Sequence, residues 1–135
     1  MCGIAFSGEL ATTHVMLERL AHRGKDARVV KSFVSRATGL GGFLGHNRLA
    51  LVDLTDAGLQ PLETEQSIIG FVGEIYNYES IYKGLRLDCH GVPLNEIHTL
   101  EYLLREHEQF DRILDGYYFI VRIDKSAQTI TVAVI

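Results

Sequence analysis

The sequence predicts an α+β fold forming one domain over residues 1–135. Three observations predict it. Short apolar runs bounded by glycine and polar turns recur along the chain, which is the pattern of strands. Only two or three segments space their apolar residues at helical intervals. Those helices are grouped instead of alternating strictly with strands, which favours packed layers over a doubly wound parallel sheet.

Taken in order, residues 2–7 form an apolar run closed by Gly8 and read as a strand. Residues 13–20 carry Val15, Met16 and Leu20 at helical spacing, with Thr12 or Thr13 as N-cap. Residues 21–28 are polar, contain Gly24 and read as a loop. Residues 29–35 read as a strand, and Gly39, Gly41 and Gly42 make a turn before a second strand over 43–54. Residues 67–71 form a further strand stopped by Gly73, and residues 80–87 a short helix. Residues 95–108 form a longer helix, with Ile97, Leu100, Glu101 and Leu104 at helical intervals. Asp115-Gly116 is a turn, and residues 117–124 and 129–135 are strands joined as a hairpin through the polar stretch 125–128.

Composition narrows the function. A chain of 135 residues can bury roughly two thirds of its unfolded surface, so it can hold a core. Hydrophobic residues make up 47% and charged residues 22%, an ordinary balance for a soluble globular domain. No apolar run approaches the ~20 residues that cross a bilayer, and no basic segment precedes an apolar stretch as in a secretory signal. The net charge of −4 comes without a Lys/Arg cluster, which argues against nucleic acid as a direct partner. Cys2 and Cys89 are the two cysteines; a disulfide framework is not expected, and a reducing, cytoplasmic setting is. Cys89, His90, His98 and His107 fit no standard zinc spacing, so no metal and no cofactor is expected.

Cys2 is the residue that suggests chemistry. A small residue after Met1 permits trimming of the methionine, which would leave Cys2 with a free α-amino group. Such amines titrate near pH ~7.7–8.0, so one residue would supply both nucleophile and general base. Gly3 leaves room for a substrate to approach the backbone.

A set of motifs follows in order over nearly the whole chain. They are Cys2-Gly3-Ile4, His22-Arg23-Gly24-Lys25-Asp26, the run from Gly45-His46-Asn47-Arg48-Leu49 to Asp53-Leu54, Gln60-Pro61-Leu62, Gly73-Glu74-Ile75-Tyr76-Asn77-Tyr78, and Leu114-Asp115-Gly116-Tyr117-Tyr118-Phe119 with Asp124. Together they resemble the glutaminase domain of asparagine synthetase and its class II glutamine amidotransferase relatives, which are N-terminal nucleophile hydrolases. The resemblance implies an αββα sandwich, shortened at its C-terminal end and without a synthetase domain. It implies that Cys2 attacks the side-chain amide of glutamine and that Gly73 N–H is one oxyanion donor. Arg48 would hold the substrate α-carboxylate, a task suited to a planar guanidinium fork. Glu74 would help hold the α-ammonium, the Val52 carbonyl would orient the Cys2 amine, and residues 23–26 would lie near the bound glutamine. His46 reads as a structural hydrogen-bonding histidine, and Asn77 and Tyr78 as stabilisers of the turn after the strand.

The chain departs from the family pattern in two site positions. Val72 stands where the family has an asparagine whose amide is the second oxyanion donor. Counted without gaps from Gly91, Thr99 stands where the family has the aspartate that grips the ammonium; a one-residue slip puts His98 there, and Glu96 or Glu101 are the carboxylates that could reach in. The expected function is glutamine hydrolysis that supplies ammonia to a separate ATP-dependent synthetase in trans, in a homo-oligomer or in complex with that synthetase. The alternative is a catalytically impaired glutaminase-like module that docks on a synthetase, which Val72 and Thr99 favour.

Overall fold

A computed structural model of the chain describes residues 1–36, 38–51 and 54–135. The strands are β1 (Gly3–Ser7), β2 (Ala27–Val34), β3 (Gly41–Arg48), β4 (Leu62–Glu63), β5 (Ser67–Ile75), β6 (Gly116–Asp124) and β7 (Thr129–Val134). The helices are α1 (Leu10–Arg19), α2 (Tyr78–Gly84) and α3 (Glu96–Glu106), with short 3-10 turns between elements. The α+β expectation holds: all strand pairings are antiparallel, in a sheet of order β1-β3-β2 and a second of order β4-β5-β6-β7.

Side-chain alternation stacks the two sheets. On β3, Leu44 and His46 point to one face while Gly45 and Asn47 point to the other. Leu44 packs with Ile68, Val121 and Ile123 of the second sheet, and with Ile4. Gly45 lies under α1, where any side chain would collide with Leu17, and the Asn47 amide donates to the Leu17 carbonyl at 2.6 Å. On β5 the neighbours of Ile68 face the other way: Ile69 and Phe71 join Ile97 and Leu100 of α3 in a second cluster with Ile75, Tyr118 and Ile120. The layers therefore run α1, first sheet, second sheet, α3.

Several elements differ from the sequence expectation. Helix α1 starts at Leu10 with Glu9 as N-cap, not at Thr12 or Thr13. Its buried stripe is Thr13 and Leu17, while Val15 and Met16 are exposed. The glycine at position 45 explains this, because a side chain there would displace Leu17. Strand β3 ends at Arg48, short of the expected residue 54, while residues 27 and 28 belong to β2. Strand β5 does not stop at Gly73 but runs to Ile75. Gly73 has φ +136°, and a Cβ there would run into the Tyr117 carbonyl, so glycine lets the ladder pass through this point. Helix α2 begins two residues earlier than expected, and the β6–β7 hairpin forms as expected. Ile130, Val132 and Val134 of the edge strand β7 are all exposed.

Candidate active site

The site is built on one edge of β5. Strand β4 pairs only with Ile68 and Ile69, so beyond Ile69 that edge has no neighbouring strand among the described residues. Buried backbone groups must still find partners. Phe71 N–H donates to Gln60 Oε1 at 2.7 Å, and His46 Nε2 lies 3.2 Å from the Phe71 carbonyl. Ile75 N–H donates to Glu96 Oε1 at 2.9 Å. Gly73 is the alternate residue between them, and among the described residues no side chain bonds to its N–H.

Cys2 approaches this edge from the start of β1. Its Sγ accepts from Leu49 N–H at 3.3 Å, and its carbonyl accepts from Arg23 Nε at 3.0 Å. The loop containing Arg23 is tied to the end of β3: Asp26 N–H donates to the Arg48 carbonyl at 3.0 Å, and its carboxylate accepts from Ala50 N–H at 2.7 Å. Gly24 packs so close to the Asn47 and Arg48 backbone that a Cβ would meet it at 2.6 Å. Arg48 is buried, and its Nη1 donates to the Thr55 carbonyl at 2.8 Å.

Cys2, Arg48, Val72, Gly73 and Glu74 all line one cavity of about 140 Å³, together with Met1, Gln60, Glu96 and Tyr117. A larger cavity of about 680 Å³, bounded by Phe6, Phe33, Ile123 and Ile130, contains none of the expected site residues, so size does not mark the site here. Val52, expected to orient the Cys2 amine, lies outside the described residues.

Thr99 lies apart from this group. It is buried in α3, and its hydroxyl donates to the Asn95 carbonyl at 2.8 Å, one turn back. The carboxylates at this rim are Glu74 and Glu96. Asn95 caps α3, its side chain accepting from His98 N–H at 3.0 Å, which makes Glu96 the first residue of the helix. Burial raises the Glu96 pKa above the usual carboxylate range; the Ile75 N–H opposes this, and the Glu74 charge adds to it. The signal that places Glu96 is present in the sequence as an asparagine directly before an apolar-periodic run. Gln60 carries no such signal: its contact with Phe71 is tertiary and has no local pattern.

His46 is completely buried. Burial lowers its pKa from 6.5 to about 4; the Phe71 carbonyl opposes that shift, and the Arg48 charge adds to it. The imidazole is therefore neutral at pH 7, as a structural histidine would be. The unfolded chain takes up a proton near pH 6.5 and the folded chain only near 4, so this contribution to stability is complete above pH 6.5 and fades as pH falls. By pH 4 the loss should reach about 3 kcal/mol. Urea unfolding at pH 7 and pH 4 checks this: His46→Gln should lose less stability on acidification than the wild type, and equal losses would refute it.

The chain matches the model of the glutamine amidotransferase domain over residues 1–133. The chain belongs to that family. The amidotransferase domain is 31% identical over 129 residues to a probable glutamine-hydrolyzing asparagine synthetase of Acanthamoeba polyphaga mimivirus, covering 93% of this chain and 23% of the relative. It is 34% identical over 118 residues to a glutamine-hydrolyzing asparagine synthetase of Brassica oleracea, covering 85% of this chain and 19% of the relative. Over 65 residues it is 43% identical to the amidase chry2 of Gibberella zeae, which is 47% of this chain and 9% of the relative. The chain thus spans about a fifth of the length of the synthetases it matches.

Proposed function

We propose that the domain hydrolyses the side-chain amide of glutamine with Cys2 as nucleophile, on an αββα scaffold of the N-terminal nucleophile hydrolase type. The observation that carries this reading is the convergence of Cys2, Arg48, Gly73 and Glu74 on one cavity beside the open edge of β5. Removal of Met1, which is 63% exposed, frees the Cys2 amine. The thiol proton passes to that amine, Sγ attacks the amide carbon, and the oxygen takes the negative charge. The Gly73 N–H meets that charge. Collapse to the thioester expels ammonia, which receives the proton from the amine. Water then hydrolyses the thioester to glutamate and restores the thiol. Arg48 binds the substrate carboxylate, the Val52 carbonyl orients the amine, and Glu74 with Glu96 receives the ammonium, so a carboxylate is supplied without one at Thr99.

The ammonia serves an ATP-dependent synthetase activity, in line with the asparagine synthetases to which the domain is similar. The exposed Ile130, Val132 and Val134 of β7 suit contact with that synthetase or with a second copy. The second reading, a docking module without turnover, rests on Val72: valine cannot donate to an oxyanion.

Mass spectrometry after treatment with a glutamine-analogue electrophile tests the proposal. The expected mass lacks Met1 and carries one label on Cys2, protected by excess glutamine. Retained Met1 in active protein, or labelling at Cys89 alone, would overturn the mechanism. Native spectra of the same sample should show more than one copy, or a bound synthetase in material taken from the source cell; a lone monomer speaks against the assembly.

A further inference from the structure

We infer that Gln60 and His46 are positioning residues that set the Gly73 N–H in place for the reaction; this rests on the glutaminase reading above. Beyond Ile69 this edge of β5 has no neighbouring strand among the described residues, because β4 pairs only with Ile68 and Ile69. Such an edge presents backbone N–H and C=O groups that need partners, while β6 holds the other edge of β5. Here two side chains from outside the sheet replace the missing strand at one residue. Gln60 Oε1 takes the Phe71 N–H at 2.7 Å, and His46 Nε2 lies 3.2 Å from the Phe71 carbonyl. Gln60 is buried and His46 completely so, which makes both bonds strong in effect, since water cannot substitute for them.

The clamp acts two residues before Gly73, whose positive φ offers the backbone freedom that other residues lack. Ile75, two residues after it, is held by Glu96 Oε1 at 2.9 Å. On this edge Gly73 thus lies between side-chain-held points at Phe71 and Ile75, with β6 paired along the other edge. Gly70 contributes as well: a Cβ there would press on Ile4 Cδ1 at 3.1 Å, so its absence lets the strand lie close to β1, which carries Cys2 at its start. Gln60 lines the cavity too, but the work assigned to it is done through the Phe71 backbone.

The test uses the trimmed domain in a Cys89→Ser background, comparing wild type, Gln60→Leu and Gln60→Glu. Leucine removes the acceptor for Phe71 N–H; glutamate keeps one. Three quantities are read: kcat and KM for glutamine, the rate of Cys2 alkylation by iodoacetamide, and hydrogen exchange at the Phe71 and Gly73 amides. Alkylation is a displacement that forms no oxyanion, so it reports the thiol without the Gly73 donor. Gln60→Leu should lower kcat about 10–100-fold, the effect of shifting a reacting group by ~1 Å, with alkylation unchanged and exchange at Phe71 accelerated. Gln60→Glu should restore Phe71 protection and most of kcat at saturating glutamine. If Gln60→Leu does not fold, Gln60→Asn, one methylene too short to reach the amide, carries the same expectation. Unchanged kcat, or kcat and alkylation falling together, overturns the positioning role and leaves the glutaminase reading standing. Absence of any Cys2-dependent turnover in the wild type overturns both.

Discussion

Cys2→Ala is expected to abolish ammonia release from glutamine while leaving the melting temperature within a few degrees of wild type. The thiol is half-buried, and its polar contacts are with the backbone of one residue, Leu49, at 3.3 Å to N–H and 3.7 Å to the carbonyl. The strand that follows is held by its own ladder with β3 from Gly3 onward, and the Cys2 carbonyl keeps its bond to Arg23 whatever the side chain. Removing Sγ therefore takes away the nucleophile and little else. Coupled measurement of ammonia release and thermal unfolding checks the claim. Residual turnover above a heat-treated control would show that another group attacks the substrate. Equal losses of stability and activity would make Cys2 a structural residue.

The second large effect is a gain. Val72→Asn is expected to raise kcat for glutamine by about 10²-fold or more, since a well-placed oxyanion donor contributes about 2.7–4 kcal/mol at the transition state. Val72 lines the cavity beside Gly73, so an amide at this position would face the same space as the Gly73 N–H. Asparagine is close to valine in size, although it is the poorer strand former. The ladder here includes the Val72–Phe119 and Phe71–Ile120 pairings, whose backbone bonds do not depend on the side chain at position 72. Steady-state kinetics on the single substitution decides: kcat should rise while KM moves little, because the donor acts on charge that appears only in the transition state. A flat kcat in protein that still binds glutamine would mean that the missing donor is not what limits the reaction, and would favour the docking module.

Much of the strand inventory was legible because strand alternation and glycine punctuation are local signals. The β6–β7 hairpin around the polar residues 125–128 is the clearest case. Local signals misled where a distant residue decided. Val15 and Met16 look like the buried side of α1, yet Gly45 on β3 admits Leu17 and turns them outward. Gly73 looks like a strand terminator, yet the opposing strand accommodates it at positive φ. At the site, Cys2, Arg48, Val72, Gly73 and Glu74 were named from motifs and do line one cavity. Counting through the loop after Gly91 points to Thr99, but a count through a loop carries no structural constraint. The cap at Asn95 supplies one: it makes Glu96 the first residue of α3, on the cavity wall, and sets Thr99 further along the helix. The clamp on Phe71 had no local trace, because Gln60 and His46 meet that backbone only after the two sheets stack.

Met1 lines the same cavity as Cys2 and also the neighbouring recess formed by His22, Arg23, Gly24 and Lys25, where its Sδ lies 3.5 Å from Arg23 Nη2. In the glutaminase reading this makes Met1 a stopper that sits where substrate must go. A chain that keeps Met1 would then be a latent form, and an aminopeptidase that removes it would be its activator. Production choices follow directly: an amino-terminal purification tag would keep the stopper in place and yield well-folded, silent protein, whereas a carboxy-terminal tag would leave trimming free to proceed.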